Sequence, residues 1–261
     1  MYRFLSAACI LMVVSIAEGA IVKKPIEYKH DGTNLEGLLC YDDAQTGKRP
    51  GVLVVHEWWG CNDYAKSRAE QLAKLGYVTF ALDMYGKGVT TTSPQEAGKL
   101  AGEAKKVLRS RAQAGLDILL AQPNVDKDNI CAIGYCFGGT TVLELAYSGA
   151  PLAGVVSFHG NLTNPSAEDA KRIKAKILVC HGAADTFQPE KEVAAWRDAM
   201  HKTKADWQMI YYAGAVHAFT NPNADKAGIP GVGYNKNADS RSWRHMQDFF
   251  NEVFGEAKAT R

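Results

Sequence analysis

Short, continuous apolar runs alternate along the chain with longer segments in which apolar residues recur every three or four positions. Apolar runs of about four to eight residues are typical of strands buried on both faces, and the longer periodic segments are typical of helices with one buried side. This pattern predicts strands at 51–56, 77–82, 129–134, 155–158, 177–180 and 207–212. It predicts helices at 62–75, 137–148, 190–201 and 242–254, and another that begins after Ser93 and breaks near Gly102.

The alternation of strands and helices predicts the fold class. Units of this kind form a mostly parallel sheet with helices packed on both faces, which is an α/β architecture. Two earlier segments, 26–29 and 35–41, flank the turn signal Asp31-Gly32 and predict an antiparallel pair. The sequence contains no internal repeat, low-complexity tract or linker, so we expect a single α/β domain.

The N-terminal residues predict an export signal. Arg3 precedes a mostly apolar run at 4–17, which small residues follow. A basic start, a short apolar stretch and a small-residue site define such signals, so we expect cleavage near Gly19 or Ala20 and a mature domain at 21–261. The run is shorter than the roughly 20 apolar residues of a membrane span, and an uncleaved anchor or a buried helix is the alternative. The expected location is exported, either periplasmic or secreted if the organism is bacterial, without a stable membrane span after cleavage.

Composition and charge exclude several classes of protein. Hydrophobic residues make up 46% of the chain and charged residues 22%, which is typical of a globular protein. A net charge of +2 offers no strong attraction for phosphates, so nucleic acid is not an expected partner. Loss of Cys9 with the signal leaves five of six cysteines, an odd number without a C-x-x-C pair. Neither a disulfide framework nor a zinc site is indicated.

The segment GYCFGG at 134–139 carries the strongest chemical signal. It follows a predicted strand and opens a predicted helix, which is the context of a nucleophile elbow with the pattern G-x-nucleophile-x-G. Glycines leave room around the sharp turn, and the helix N-terminus favours a thiolate. The segment therefore predicts Cys136 as the nucleophile, with a buried structural cysteine in a glycine-rich turn as the alternative.

A thiolate nucleophile needs a base, and the base needs an orienting acid. Asp185 follows the predicted strand at 177–180, and His217 follows the strand at 207–212. Both positions lie where open α/β sheets place functional groups, and the order nucleophile, acid, histidine is the one expected for this type of fold. Asp185 and His217 are therefore the predicted acid and base.

Other titratable residues at predicted strand ends compete for these roles. A structural hydrogen-bonding or capping role is the default expectation for each of them. These competitors are His56, His159, His181 and Asp83.

The segment HEWWG at 56–60 is a second informative cluster. It follows the strand at 51–56, where this fold supplies one backbone donor of an oxyanion hole. The backbone N–H groups of Trp58 and Phe137 are the predicted oxyanion donors. Glu57 and Trp59 are expected to line the site, and the alternative is a solvated glutamate beside two core tryptophans.

Taken together, these motifs resemble the dienelactone hydrolase family of α/β-hydrolases over residues 26–254. The motifs that carry the resemblance are HEWWG at 56–60, LDMYGKG at 82–88, GYCFGG at 134–139, HGAAD at 181–185 and HAF at 217–219. The resemblance implies a Cys136–His217–Asp185 triad that attacks an ester or lactone carbonyl without a metal or cofactor. It also implies that Glu57 holds the thiol proton at rest and releases the cysteine toward histidine when substrate binds.

Two positions depart from the pattern of the family, which binds a substrate carboxylate with two arginines. Lys87 and Asn221 stand in the corresponding regions. A lysine can pair with a carboxylate only as a point charge, and an asparagine supplies no charge. We therefore expect Lys87, Asn221 and Trp59 to contact substrate, but an ester or lactone without a carboxylate is as consistent with the sequence as an anionic lactone.

Two other functions remain open at this stage. A non-catalytic binding protein on the same fold is one, although all three triad positions are filled. A thiol redox or sulfenic-acid sensor centred on Cys136 is the other, although Cys131 lies inside the preceding strand and offers no obvious resolving thiol. The expected partner is a small ester or lactone, and the expected assembly is a monomer or a small homo-oligomer.

Overall fold

Eight strands form one sheet in the computed structural model, which describes residues 19–255. The strands are β1 (Ile21–His30), β2 (Thr33–Asp42), β3 (Arg49–Val55), β4 (Val78–Leu82), β5 (Val125–Tyr135), β6 (Gly154–Phe158), β7 (Lys176–Gly182) and β8 (Trp207–Tyr212). Their order across the sheet is β1-β2-β4-β3-β5-β6-β7-β8. β2 runs antiparallel to both of its neighbours and all other pairs are parallel, so the predicted α/β fold with a mostly parallel sheet is confirmed.

Helices cover both faces of this sheet. The helices are α1 (Asp63–Lys74), α2 (Pro94–Lys105), α3 (Leu108–Leu120), α4 (Phe137–Tyr147), α5 (Ala167–Arg172), α6 (Glu190–Met200) and α7 (Lys236–Phe254). α3, α4 and α6 pack in one hydrophobic core, and α1 and α7 pack in another on the opposite face.

Alternation along β3 shows how one strand serves both cores. Leu53 and Val55 belong to the core with α3 and α4, whereas Val52 and Val54 belong to the core with α1 and α7. All four side chains are fully buried. A central parallel strand needs apolar residues at every position for this reason, which explains the uninterrupted run in the sequence.

The break in the helical segment after Ser93 lies later than predicted. Gly102 is inside α2, and the break comes at Lys106 and Val107, before α3 begins. A side chain added at Gly102 would meet no atom within 4 Å, so nothing in its surroundings interrupts the helix there. Val107 leaves the helical region with a φ of −126°, and this residue separates α2 from α3.

Two helices depart from the predicted pattern because polar residues define their beginnings. α5 has only six residues, too few to show an apolar period, and starts at a capping box made by Ser166 and Asp169. α7 begins at Lys236, earlier than the apolar face suggests, because the side chain of Asn235 accepts a hydrogen bond from the backbone of Ala238.

The predicted export signal at 1–20 lies almost wholly outside the described residues, and its cleavage stays a prediction. β1 begins at Ile21, directly after the predicted cleavage site. Across residues 19–255, no helix has both the length and the apolar character needed to cross a membrane.

The turn from β5 into α4 depends on close backbone packing. A side-chain carbon added at Gly138 would lie 2.3 Å from the carbonyl oxygen of Val55, and one added at Gly134 would lie 2.0 Å from the carbonyl oxygen of Gly138. Both distances are shorter than any van der Waals contact. The start of α4 can therefore pack against the end of β3 only because glycine occupies these positions.

We predict that Gly138→Ala lowers the free energy of unfolding by at least about 2 kcal/mol, because the backbone of β3 must move away. The matched control is Gly102→Ala, in the open middle of α2, which should raise it by about 0.5–1 kcal/mol because alanine favours helix. Urea denaturation of both variants measures the difference. Equal effects of the two substitutions would contradict the close packing.

Candidate active site

Cys136 lies at the sharp turn between β5 and α4. Its backbone has a φ of 52° and a ψ of −114°, a strained conformation for a residue with a side chain, of a kind that costs about 1–3 kcal/mol. The backbone N–H of Cys136 donates to the carbonyl oxygen of Phe158 at 3.0 Å and faces Nδ1 of His159 at 3.1 Å. These contacts to the end of β6 hold the strained residue in place.

A continuous line of hydrogen bonds joins three side chains from different loops. His217 Nε2 lies 3.0 Å from the Sγ of Cys136, and His217 Nδ1 lies 2.9 Å from Oδ2 of Asp185. The backbone N–H of His217 also donates to the carbonyl of Gly231, and its own carbonyl accepts from Gly233. The structure thus brings together the sulfur, imidazole and carboxylate that the sequence singles out.

The surroundings of His217 stabilise its protonated form. Burial on its own lowers the pKa of His217, but the neighbouring Cys136 sulfur and the hydrogen bond to Asp185 outweigh burial, and the net pKa lies well above its ordinary value. The Asp185 side chain is almost fully buried, and its other oxygen accepts from the backbone N–H of Phe187 at 2.8 Å. The carboxylate therefore has a fixed orientation toward the imidazole.

Two backbone N–H groups near Cys136 are free to bind an oxyanion. Neither the N–H of Trp58 nor that of Phe137 donates a hydrogen bond to any of residues 19–255. Phe137 is the first residue of α4, where helical N–H groups lack intrahelical acceptors. Both residues line a cavity that Cys136 also lines. Their placement agrees with the predicted pair of donors.

Glu57 is buried and pairs with Asn221. Its Oε2 accepts a hydrogen bond from Asn221 Nδ2 at 2.6 Å, whereas its Oε1 is buried without a partner among the described residues. Burial raises the pKa of Glu57 to about 7, although Asn221 and the nearby His217 act to lower it. The alternative of a solvated Glu57 is therefore wrong, and Asn221, expected to contact substrate, also orients this carboxyl group.

Two large cavities meet at Cys136. The first has a volume of about 520 Å³, and its walls include Glu57, Trp59, Phe187, His217, Asn221 and Ile229. The second has a volume of about 710 Å³, and its walls include Lys105, Lys106, Arg109, Phe137, Thr140 and Glu144. Trp58, Cys136 and Asn161 line both. The sulfur is thus accessible from two sides.

Lys87 lies away from both of these cavities. Its Nζ makes ion pairs with Glu27 at 2.6 Å and with Glu36 at 3.5 Å, on the outer strands β1 and β2. The expectation that Lys87 contacts substrate is therefore not met. The two carboxylates attract the lysine outward, and this charge pairing across strands cannot be seen in the local motif.

The competing titratable residues have structural roles. His56 Nε2 accepts from the backbone N–H of Met84, and Asp83 accepts from the backbone of the turn that follows β4. His181 packs edge-on against the ring of Tyr211. None of these side chains contacts the Cys136 sulfur.

A buried polar network beneath the site joins His159 to residues that the sequence did not single out. His159 Nε2 and the Tyr64 hydroxyl each lie 2.7 Å from Oγ1 of Thr220, and Arg68 Nη2 donates to the Thr220 carbonyl at 2.7 Å. Arg68 is also paired with Asp239 at 2.5 Å. The network anchors the loop that carries His217 and Asn221. The one local hint is an arginine on the apolar face of α1.

Comparison with known proteins agrees with this geometry. The model of the dienelactone hydrolase family matches residues 35–254. The chain belongs to the dienelactone hydrolase family. The resemblance inferred from the motifs is thereby confirmed.

Similarity to known proteins covers nearly the whole chain of this family member. A solved structure of a dienelactone hydrolase-like promiscuous phosphotriesterase from metagenomic libraries is 43% identical, covers 91% of this chain and 100% of its own, and superposes with a TM-score of 0.87. The solved structure named m3DLH is 41% identical with the same coverage and TM-score. A Salmonella typhimurium protein with the provisional name carboxymethylenebutenolidase is 24% identical over 94% of this chain and 92% of its own.

The raised pKa of Glu57 predicts that the free energy of unfolding of this dienelactone hydrolase family member depends on pH. Between 4.5, the ordinary pKa, and about 7, the folded protein retains a proton that the unfolded chain releases. The free energy of unfolding therefore falls as the pH rises through this range, by up to about 3 kcal/mol. Glu57→Gln cannot ionise, so its stability relative to wild type should improve by that amount between about pH 4 and about pH 8.

Urea denaturation across this pH range measures the effect. The matched control is Glu103→Gln, at an exposed position on α2, which should show no such trend. A stability difference between Glu57→Gln and wild type that is the same at every pH would contradict the buried, protonated state of Glu57.

Proposed function

We propose that this hydrolase cleaves small esters or lactones by covalent catalysis, with Cys136 as nucleophile, His217 as general base and Asp185 as the acid that orients it. The observation that carries the proposal is the unbroken line of hydrogen bonds from Sγ through the imidazole to the carboxylate, at the junction of two open cavities. Such an arrangement activates a nucleophile and gives it access to a bound carbonyl group.

The first half of the proposed reaction forms an acyl-enzyme. His217 Nε2 accepts the thiol proton, and the sulfur attacks the substrate carbonyl carbon. The carbonyl oxygen becomes negatively charged and is stabilised by the N–H groups of Trp58 and Phe137. The bond to the alcohol oxygen then breaks, His217 returns its proton to that oxygen, and the acyl group remains on Cys136 as a thioester.

The second half of the reaction releases the acid. A water molecule gives its proton to His217 Nε2 as its oxygen attacks the thioester carbonyl. The carbon–sulfur bond breaks, and the sulfur regains the proton from the imidazole. Asp185 stays hydrogen bonded to Nδ1 throughout, and it stabilises the positively charged imidazole in each half.

Glu57 has a proposed supporting role in this cycle. The family resemblance implies a resting state in which the thiol contacts this glutamate. In the structure the sulfur instead faces His217 and Glu57 faces Asn221, which corresponds to the reactive arrangement. With a pKa of about 7, Glu57 is able to exchange a proton at neutral pH, which supports the proposal that it stores the thiol proton between turnovers.

The two alternatives are less well supported. A sensor that forms an intramolecular disulfide needs a second accessible thiol near Cys136. The other described cysteines carry free thiols and are buried: Cys40, Cys61, Cys131 and Cys180. A non-catalytic protein would have no need for the strained backbone of Cys136 and its aligned partners.

A second candidate reaction is the hydrolysis of phosphotriesters. The metagenomic relative at 43% identity is described as a promiscuous phosphotriesterase. Attack at phosphorus requires room for several substituents around the nucleophile, and the two cavities that meet at Cys136 supply that room. The assay panel therefore includes a dialkyl nitrophenyl phosphate alongside the carboxylic esters.

We predict that Cys136→Ala lowers kcat/KM for nitrophenyl acetate by at least about a thousandfold, because the remaining groups cannot form the thioester. Release of nitrophenolate measures turnover, and circular dichroism confirms that the variant is folded. The matched control is Cys61→Ala, which removes a buried thiol near the start of α1 and should leave turnover within about twofold of wild type. A folded Cys136→Ala variant with most of the wild-type activity would contradict the assignment.

A further inference from the structure

We propose that the second cavity is the acyl subsite and that Lys105 selects acyl chains with a negative charge at their far end, such as monoesters of dicarboxylic acids. This inference rests on the proposed function, because it assigns the two sides of the bond that Cys136 attacks. In this proposal a charged substrate group is recognised by Lys105 at the end of α2, and not by Lys87, which the structure places elsewhere.

The position of the base determines which part of the substrate enters which cavity. His217 must protonate the departing alcohol oxygen, so that oxygen has to lie beside Nε2. His217 lines the first cavity and is absent from the walls of the second, whereas Phe137, a proposed oxyanion donor, lines the second. The alcohol part therefore extends into the first cavity. The acyl chain extends from the same carbonyl carbon into the second.

The second cavity is large enough for an extended acyl chain. Its volume of about 710 Å³ lies well within the range of small-molecule sites. Phe137 is buried in its wall near the nucleophile, whereas Lys105 is exposed. The exposed Lys105 lies at the open side of the cavity, and the Cys136 sulfur lies inside. This arrangement suits a substrate carboxylate that is separated from the ester carbonyl by several carbon atoms.

Charge distinguishes the two cavities. Lys105, Lys106 and Arg109 line the second cavity with a single acid, Glu144. In the first cavity one acid, Asp63, accompanies one lysine, Lys226, and the other titratable residues are Glu57 and His217 of the proposed catalytic machinery. The excess of cations therefore attracts an anionic group to the second cavity.

Among the cations of the second cavity, Lys105 is the one without a counter-ion in the described part of the chain. Arg109 is neutralised by Glu144 at 2.7 Å and Asp169 at 2.8 Å, and Lys106 is paired with Glu103 at 2.6 Å. Lys105 makes no ion pair with any of residues 19–255. A substrate carboxylate would supply the missing negative charge.

The test compares two esters with the same leaving group. One is the mono-nitrophenyl ester of glutaric acid, which has a free carboxylate at the far end of its acyl chain, and the other is its neutral methyl-capped counterpart. Wild type should prefer the charged ester in kcat/KM by about three- to tenfold at low salt, and the preference should shrink as salt screens the charges. Lys105→Ala should abolish the preference, and Lys105→Arg should retain it.

Two lysine controls and one further ester locate the effect. Lys99→Ala, on α2 but outside both cavities, should match wild type, and Lys226→Ala, in the first cavity, should keep the preference for the charged acyl chain. Lys105→Ala should have no selective effect on an acetyl ester whose carboxylate sits on the nitrophenol ring.

Three outcomes would overturn the inference while leaving the proposed function intact. They are turnover of both glutarate esters by wild type without a preference, a preference that survives in Lys105→Ala, and a preference lost in Lys226→Ala but not in Lys105→Ala. Absence of turnover with every ester would instead contradict the proposed function itself, and the subsite assignment with it.

Discussion

The hydrogen-bonded line from the Cys136 sulfur through His217 to Asp185 depends on three loops that hold each side chain within 3.0 Å of the next. Each loop follows a strand of the parallel sheet, and neighbouring parallel strands bring their carboxyl ends to the same edge. The sheet thus converts sequence positions far apart into one site. Mispairing of β7 or β8 would separate the imidazole from the sulfur, even if all three residues were present.

Two local features stabilise the alignment of Cys136 with His217. Glycine at 134 and 138 allows the end of β5 and the start of α4 to approach β3, so that Cys136 can adopt its strained backbone. In addition, Arg68 fixes the carbonyl of Thr220 and so restrains the loop that carries His217. The strained turn and the buried network meet at His159, which contacts both the backbone N–H of Cys136 and the hydroxyl of Thr220. Together they limit movement of the Cys136 sulfur relative to the His217 imidazole, as the proposed covalent catalysis requires.

The sequence predicts the fold class and singles out the three residues of the hydrogen-bonded line, because each depends on local pattern and chain order. Cys136 lies in an elbow motif, and His217 follows the last strand. The sequence pattern does not predict contacts between segments that are distant along the chain. The ion pair of Arg68 spans 171 positions, and Lys87 is drawn outward by Glu27, 60 positions away. Asn221 was expected at the site, but its hydrogen bond to a protonatable glutamate is a product of tertiary packing.

The central claim is that an acyl group becomes covalently bound to the sulfur of Cys136 during turnover. Rapid acid quenching during hydrolysis of a nitrophenyl ester, followed by peptide mass spectrometry, measures this directly. The account predicts an added acyl mass on the peptide containing Cys136, which hydroxylamine removes because the link is a thioester. Sustained turnover with an unmodified Cys136, or with the acyl group on another residue, would contradict it.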